Sequence, residues 1–355
     1  MAHLILELFG NTMVPIRGET LPLIAQSSVT TALSAFAIND MRILLDELTA
    51  VAALDIEAFV ANPSQYHPIL GNVRQFSGYR HVLHKIHHCL RGSDLLNPDI
   101  KQRHLQSPLS FRCLAVVLGN AFDCLKYCQE QVSKEINAHQ QNPLYLPEHV
   151  TLLPCAHFDM QNIASAMDYA RISLAPVITV QVERSIKLLQ ASQTGLTDGL
   201  EPKEYTVGCG LSEVAFPLQA LLVEAKSLIA PVSAEVGSSM QAEGIEDRMT
   251  MAPLSARRLQ KMIDLSFVIT SISAVISCQA IDLREKTHNI GYNALKLKQC
   301  IRDIIPMMGQ NDSAPSDLTE LTNMLKTGGL SRSIHLNEVQ YVMDVQNELN
   351  LKSSL

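Results

Sequence analysis

His81, His84 and His88 recur at i, i+3 and i+7, with His87 and Cys89 beside them. Imidazoles one helical turn apart can chelate a metal ion. No fourth ligand stands at a matching distance, and a solvated His-rich helix face explains the same run. Arg112, close to a helix start, carries a planar fork suited to two carboxylate oxygens, supplied either by a ligand or by a neighbouring helix. Glu246-Asp247 precedes a helical segment, where acidic side chains sit well against the positive end of the helix dipole. Cys124 and Cys128, at i and i+4, suit core thiols. Phe158 on residue type alone is a core aromatic. Asn137 and Asn142 suit a turn and cap at a helix end.

These side chains need a frame, and the stretch 105–143 supplies it. Ser107-Pro108 predicts a helix start, because Ser caps free amides and Pro at the first position loses no hydrogen bond. Leu114, Val117, Leu118, Phe122, Leu125, Cys128, Val132 and Ile136 then follow at three- and four-residue spacing, one apolar stripe along a long helix. Asn142-Pro143 ends it, since the residue before Pro is pushed out of the α region. A helix this long with one apolar stripe packs along other helices, so it predicts a bundle.

The remaining chain reads the same way. Asn39-Asp40 offers a cap for a helix over 41–60, which Asn62-Pro63 stops. A helix over 79–90 ends near Gly92, a C-terminal signal. A second long helix spans 160–193, kinked at Pro176. Further helices cover 215–229 and 254–283, then an irregular tail with a last helix near 338–349. No strand ladder is evident. The expected fold class is all-α, a long-helix bundle over 21–305 flanked by a short segment 1–20 and a helical tail 306–355.

Composition excludes several functions. The 355 residues are 47% hydrophobic but only 5% aromatic, without Trp, which suits an aliphatic helical core. A net charge of −7 without a Lys/Arg cluster argues against nucleic acid as a partner. The eight cysteines lack CxxC pairing and no signal peptide is evident, so reduced thiols and a cytoplasmic setting are expected. The uncharged run 265–281 is marginal for a bilayer span and is read as buried helix, with no membrane partner.

The series Gln106-x-Pro108-x-Ser110-x-Arg112-Cys113, Glu135-x-Asn137 and Asn142-Pro143 resembles the histidine/phenylalanine ammonia-lyase family. Leu90-Arg91-Gly92-Ser93 before it, and Phe158, Glu246-Asp247, Met249-Thr250-Met251 and Ala256-Arg257-Arg258 after it, match in order. The resemblance implies a bundle of very long helices, assembled from four chains with active sites shared between three. It implies a substrate-binding set: Arg112 for the carboxylate, Gln106 beside it, Phe158 beneath the electrophile, and Glu246 near the amine of an aromatic or histidine-like amino acid.

The family's electrophile, 4-methylideneimidazole-5-one, forms by cyclisation of Ala-Ser-Gly, and no Ala-Ser-Gly occurs here. Ala2-His3-Leu4-Ile5-Leu6 resembles the family's segment just past that tripeptide. The expectation is therefore a chain without this cofactor, without the family's N-terminal domain and without its mobile-loop Tyr. Leu109 stands where the family has another Tyr, Ala25 where it has an Asn, Ile245 where it has a Gln, and Arg248 where it has a His. Apolar groups at donor positions cannot stabilise developing charge, so no catalytic residue is assigned. Three readings follow: a lyase scaffold inactive alone; a non-catalytic paralogue binding a full-length lyase or a small amino acid; or a truncated or split lyase completed by an N-terminal part. The expected partners are copies of itself, as a homotetramer, or a full-length or N-terminal lyase chain.

Overall fold

A computed structural model describes residues 17, 26–101, 103–202, 210–234, 241–284, 288–309 and 314–339. Its long helices are α1 (Ser28–Phe59), α2 (Ser77–Cys89), α3 (Leu114–Ile136), α4 (Gln161–Leu189), α5 (Ala215–Ser227), α6 (Ala252–Arg284), α7 (Tyr292–Arg302) and α8 (Thr319–Lys326). The all-α bundle expected from sequence is what forms.

The core is a trio of parallel helices, α1, α4 and α6. Gln260 reaches Asp40 near the start of α1 and α6, while Ser277 reaches Asp55 near their ends. Ser255 donates to the Ala164 carbonyl, and Ser185 to Ser273 further along, which fixes α4 parallel to α6. α3 runs the other way against α4: Cys128 meets the Ala166 carbonyl, while Val117 shares a small cleft with Pro176. α2 crosses α3 where two glycines meet. A Cβ on Gly78 would lie 2.0 Å from the Gly119 carbonyl oxygen, so neither position admits a side chain.

The Ser-rich run in α6 is buried as expected. Ser266, Thr270, Ser271, Ser273 and Ser277 each donate to the carbonyl four residues back. Their hydroxyls are thus satisfied without water, and the helix tolerates them inside. α4 and α6 are each long and apolar enough to cross a membrane, and most of each such stretch is buried in the bundle.

Several boundaries differ from the sequence reading. The helix expected from Ser107 to Asn142 is two pieces, a one-turn helix Leu109–Arg112 and then α3. Phe111 explains the break: it stacks on Phe59 with ring centroids 4.4 Å apart, drawing its turn toward the end of α1. Ser107 does not cap a helix; its hydroxyl accepts from the Asn62 backbone N–H at 3.1 Å. After α3 the chain forms a small hairpin, β1 (Leu144–Leu146) against β2 (Thr151–Leu153), entered through a cis Asn142-Pro143 bond.

Asn39-Asp40 lies inside α1, which starts at Ser28, because Thr31 and Ser34 donate to backbone carbonyls and need no water. The His-rich helix is not simply a solvated face, since His81 is 5% exposed. α7 and α8 were not anticipated. The helix expected near 338–349 falls almost entirely outside the described residues.

Candidate functional site

Arg112 and Gln106 sit at one end of the bundle. Asn62, just past α1, donates through Nδ2 to the carbonyls of His104 (3.3 Å) and Leu105 (2.9 Å), anchoring the loop that presents Gln106. The Tyr66 hydroxyl donates to the Phe111 carbonyl at 2.9 Å, fixing the one-turn helix that presents Arg112. Both side chains are exposed. Arg112 uses Nε to donate to the Ser107 carbonyl at 3.0 Å. Its two terminal nitrogens have no partner among the described residues. The internal ion pair left open by the sequence is absent among those residues, and the fork faces outward.

Phe158 and Glu246 lie at the other end. The Ser27 hydroxyl, preceding α1, donates to the Phe158 carbonyl at 3.4 Å. Arg248 joins the Glu246 loop to this place: Nε contacts Asp159 Oδ2 at 2.7 Å and Nη2 donates to Gln161 Oε1 at 2.7 Å. Phe158 is 39% exposed, so it is not a core aromatic in this chain. Glu246 is exposed as well.

The two pairs do not meet. α1 has 32 residues and so spans about 48 Å at 1.5 Å per residue, with Phe158 at its start and Arg112 beyond its end. No side chain bridges that distance. A pocket containing all four residues requires another copy of the chain or a different chain. Ala25 lies outside the described residues.

The Phe158 end has its own electrostatics. α1, α4 and α6 all begin there, and none carries an acidic side chain in its first turn. Parallel helix starts add their partial positive charges, which favour an anion or a developing negative charge. Asp159, just before α4, accepts from the Gln161 N–H at 2.8 Å but is paired with Arg248.

Behind this end lies a buried network that sequence reading missed. Arg171 is fully buried and donates to the carbonyls of Leu228 (2.8 Å), Ala230 (3.2 Å) and Ser255 (2.7 Å), and to Asp168. Asp168 accepts from the backbone N–H groups of Val232 and Ser233 at 2.8 and 2.7 Å. Burial pushes its carboxyl up, but hydrogen bonds from Ser255 and Ser233 and the charge of Arg171 outweigh this and hold it low. The pair therefore pins the chain between α5 and the Glu246 loop. The one available signal was two opposite charges, i and i+3, in the otherwise uncharged first half of α4.

A sequence profile of the aromatic amino acid lyases matches residues 4–303. A tyrosine ammonia-lyase of Cupriavidus metallidurans is 24% identical over 335 residues, covering 88% of this chain and 62% of that protein. A histidine ammonia-lyase of Bacillus subtilis is 25% identical over 352 residues, covering 93% and 68%. The crystal structure of histidine ammonia-lyase from Trypanosoma cruzi superposes with a TM-score of 0.84 at 22% identity, over 96% of this chain and 65% of that one. This chain thus spans roughly three-fifths to two-thirds of the length of these relatives. With a profile match across most of its length and the same helical fold, the chain belongs to the aromatic amino acid lyase family.

Proposed function

We propose that this chain is an amino-acid carbon–nitrogen lyase scaffold for aromatic or histidine-like substrates, assembled so that Arg112 and Gln106 of one copy face Phe158 and Glu246 of another. One observation carries the reading: the two terminal nitrogens of Arg112, without a partner among the described residues, face outward about 48 Å along α1 from the residues they would work with. In such a site Arg112 holds the substrate carboxylate. The converging starts of α1, α4 and α6 favour negative charge near Phe158, and Glu246 lies close to the amine. The homotetramer that the family resemblance implies would supply the facing copies; a full-length lyase chain would supply equivalent ones.

The 4-methylideneimidazole-5-one electrophile does not fit these 355 residues, which contain no Ala-Ser-Gly, so no step is derived through it. Leu109 is 63% exposed beside Arg112 and carries no ionisable hydroxyl. This favours a chain that binds an amino acid without releasing ammonia on its own. A non-catalytic partner of a complete lyase is the second reading, supported by the same Leu109.

The test is calorimetry with histidine, phenylalanine and tyrosine on the wild type and Arg112→Ala, beside solution mass and ammonia release. We expect an oligomer that binds at least one of the three and releases no ammonia. Arg112→Ala should weaken binding about ten- to a hundredfold, the worth of a charge-assisted contact, with an unchanged melting temperature. A stable monomer, or no binding at millimolar concentration, refutes the shared site. Steady ammonia release refutes inactivity alone.

A further inference from the structure

A cleft of about 830 Å³ opens midway along α1, between α1, α2, α3 and the segment after α8. It lies about 20 Å or more, by helix rise, from either end of α1, apart from all four residues discussed above. Its size is within the range of small-molecule sites. At its floor is Lys85, only 2% exposed, bonded to Asp46 and lying 5.1 Å from the centre of the Phe122 ring. An ammonium has three donors, and Asp46 is the one hydrogen-bond acceptor for it among the described residues. Donors left unfilled in a buried place are costly, so acceptor oxygens entering the cleft are stabilised.

The charge around the cleft points the same way. Arg42 stands at the mouth, 4.0 Å from Asp46 and 3.4 Å from Asn39 Oδ1. Lys126 adds a third cation at the rim, against the carboxylates of Asp46 and Glu338. Glu338 is engaged by His335 at 3.1 Å. Burial, with Lys85 and His84 nearby, pushes the His81 imidazole down to about 3, so it adds no charge. Phe122 and Leu125 form an apolar wall.

We propose that this cleft binds a small organic carboxylate, its oxygens taking the spare donors of Lys85 and the fork of Arg42 while its apolar body lies against Phe122 and Leu125. Benzoate is the probe, benzamide its neutral isostere, both titrated by calorimetry into the full chain. Benzoate should bind at or below about 1 mM, and benzamide at least about tenfold more weakly. Arg42→Gln, at a half-exposed position, should weaken benzoate about tenfold. Gln129→Trp, which fills the cleft from an exposed position, should abolish binding. Arg112→Ala should leave it unchanged, separating this site from the amino-acid site. Absence of benzoate binding at ten times that concentration, equal affinity for benzamide, or loss on Arg112→Ala instead of Arg42→Gln would overturn the proposal.

Discussion

The two ends of the parallel trio are built differently. Where α1, α4 and α6 finish, two arginines close the bundle. Arg103 donates to the carbonyls of Phe59 (3.1 Å) and Gln193 (2.6 Å), and Arg284 to those of Ala58 (2.6 Å) and Thr194. Both thus satisfy carbonyls that the helices leave open, and their charge opposes the negative dipole ends. Burial, with Arg103 beside it, pushes the Arg284 guanidinium down to about 10. Where the same helices start, no acidic side chain in a first turn balances the positive ends, and Phe158 and Glu246 face solvent. One end spends its charges on the fold. Among the described residues, the other leaves the positive ends of its helices facing outward.

The sharpest way to break this comparison is to damage the closed end. Asp55 and Arg184 form a buried ion pair at 2.7 Å, with Ser277 donating to Asp55. Burial pushes the Asp55 carboxyl up, against Arg184 and Ser277, which pull it down. Arg184 Nη1 has no hydrogen-bond partner among the described residues, so the pair is imperfectly satisfied there. Asp55→Leu or Arg184→Met alone strands the other charge and should cost about 3–5 kcal/mol, while the double replacement should recover most of it. Urea denaturation of the three variants checks both statements. Equal losses in the single and double variants would mean the pair is needed for more than mutual neutralisation.

Midway between the ends, Glu47 makes a smaller and pH-dependent test. It accepts from the N–H groups of Leu330 (3.2 Å) and Ser331 (2.8 Å), holding the segment after α8 onto α1. Burial outweighs those hydrogen bonds and raises its pKa from 4.5 to about 7. A raised carboxyl pKa means the native state binds the proton more tightly than the unfolded chain. The resulting stability is full below about pH 4.5 and is lost as pH rises through about 7. The expected loss is on the order of 3 kcal/mol between those limits. Glu47→Gln should remove that slope and be more stable than the wild type at pH 8. A denaturation series from pH 4.5 to 8 reads the difference directly.

The sequence revealed the loop residues at the two ends better than the packing between them, for physical reasons. Arg112, Gln106, Phe158 and Glu246 lie in loops and short turns where motif order is readable without knowing the packing. Their separation along α1 was not readable, because it depends on α1, α4 and α6 being parallel, a fact set by contacts such as Asp40 with Gln260. Periodicity located α3 and α6, whose apolar stripes are long. It misplaced the start of α1, because Thr31 and Ser34 look like loop residues until their hydroxyls are seen bonded to carbonyls one turn back. It also treated the His-rich face as solvated, whereas His81 packs edge-on against Phe122, 4.9 Å between ring centres. A buried polar side chain leaves no periodic mark when its partner comes from a distant helix.

The smallest expected effect tests the open end itself. Arg248 ties the Glu246 loop to Asp159 and Gln161, and its ion pair is partly solvated, at 41% and 24% side-chain exposure. Such a pair is worth about 0.2–1 kcal/mol, so Arg248→Ala should barely move the unfolding midpoint. What it should move is local order. Hydrogen exchange should quicken over 156–161 and 245–250, the two stretches the arginine joins, while α1, α4 and α6 keep their protection. Amino-acid binding should weaken about two- to tenfold, because Glu246 and Phe158 would no longer be held in register. If Arg248→Ala instead costs several kcal/mol, the open end carries the fold as much as the closed one does, and the division between them fails. If exchange is unchanged, Asp159 and the starts of α4 and α6 hold the loops without it.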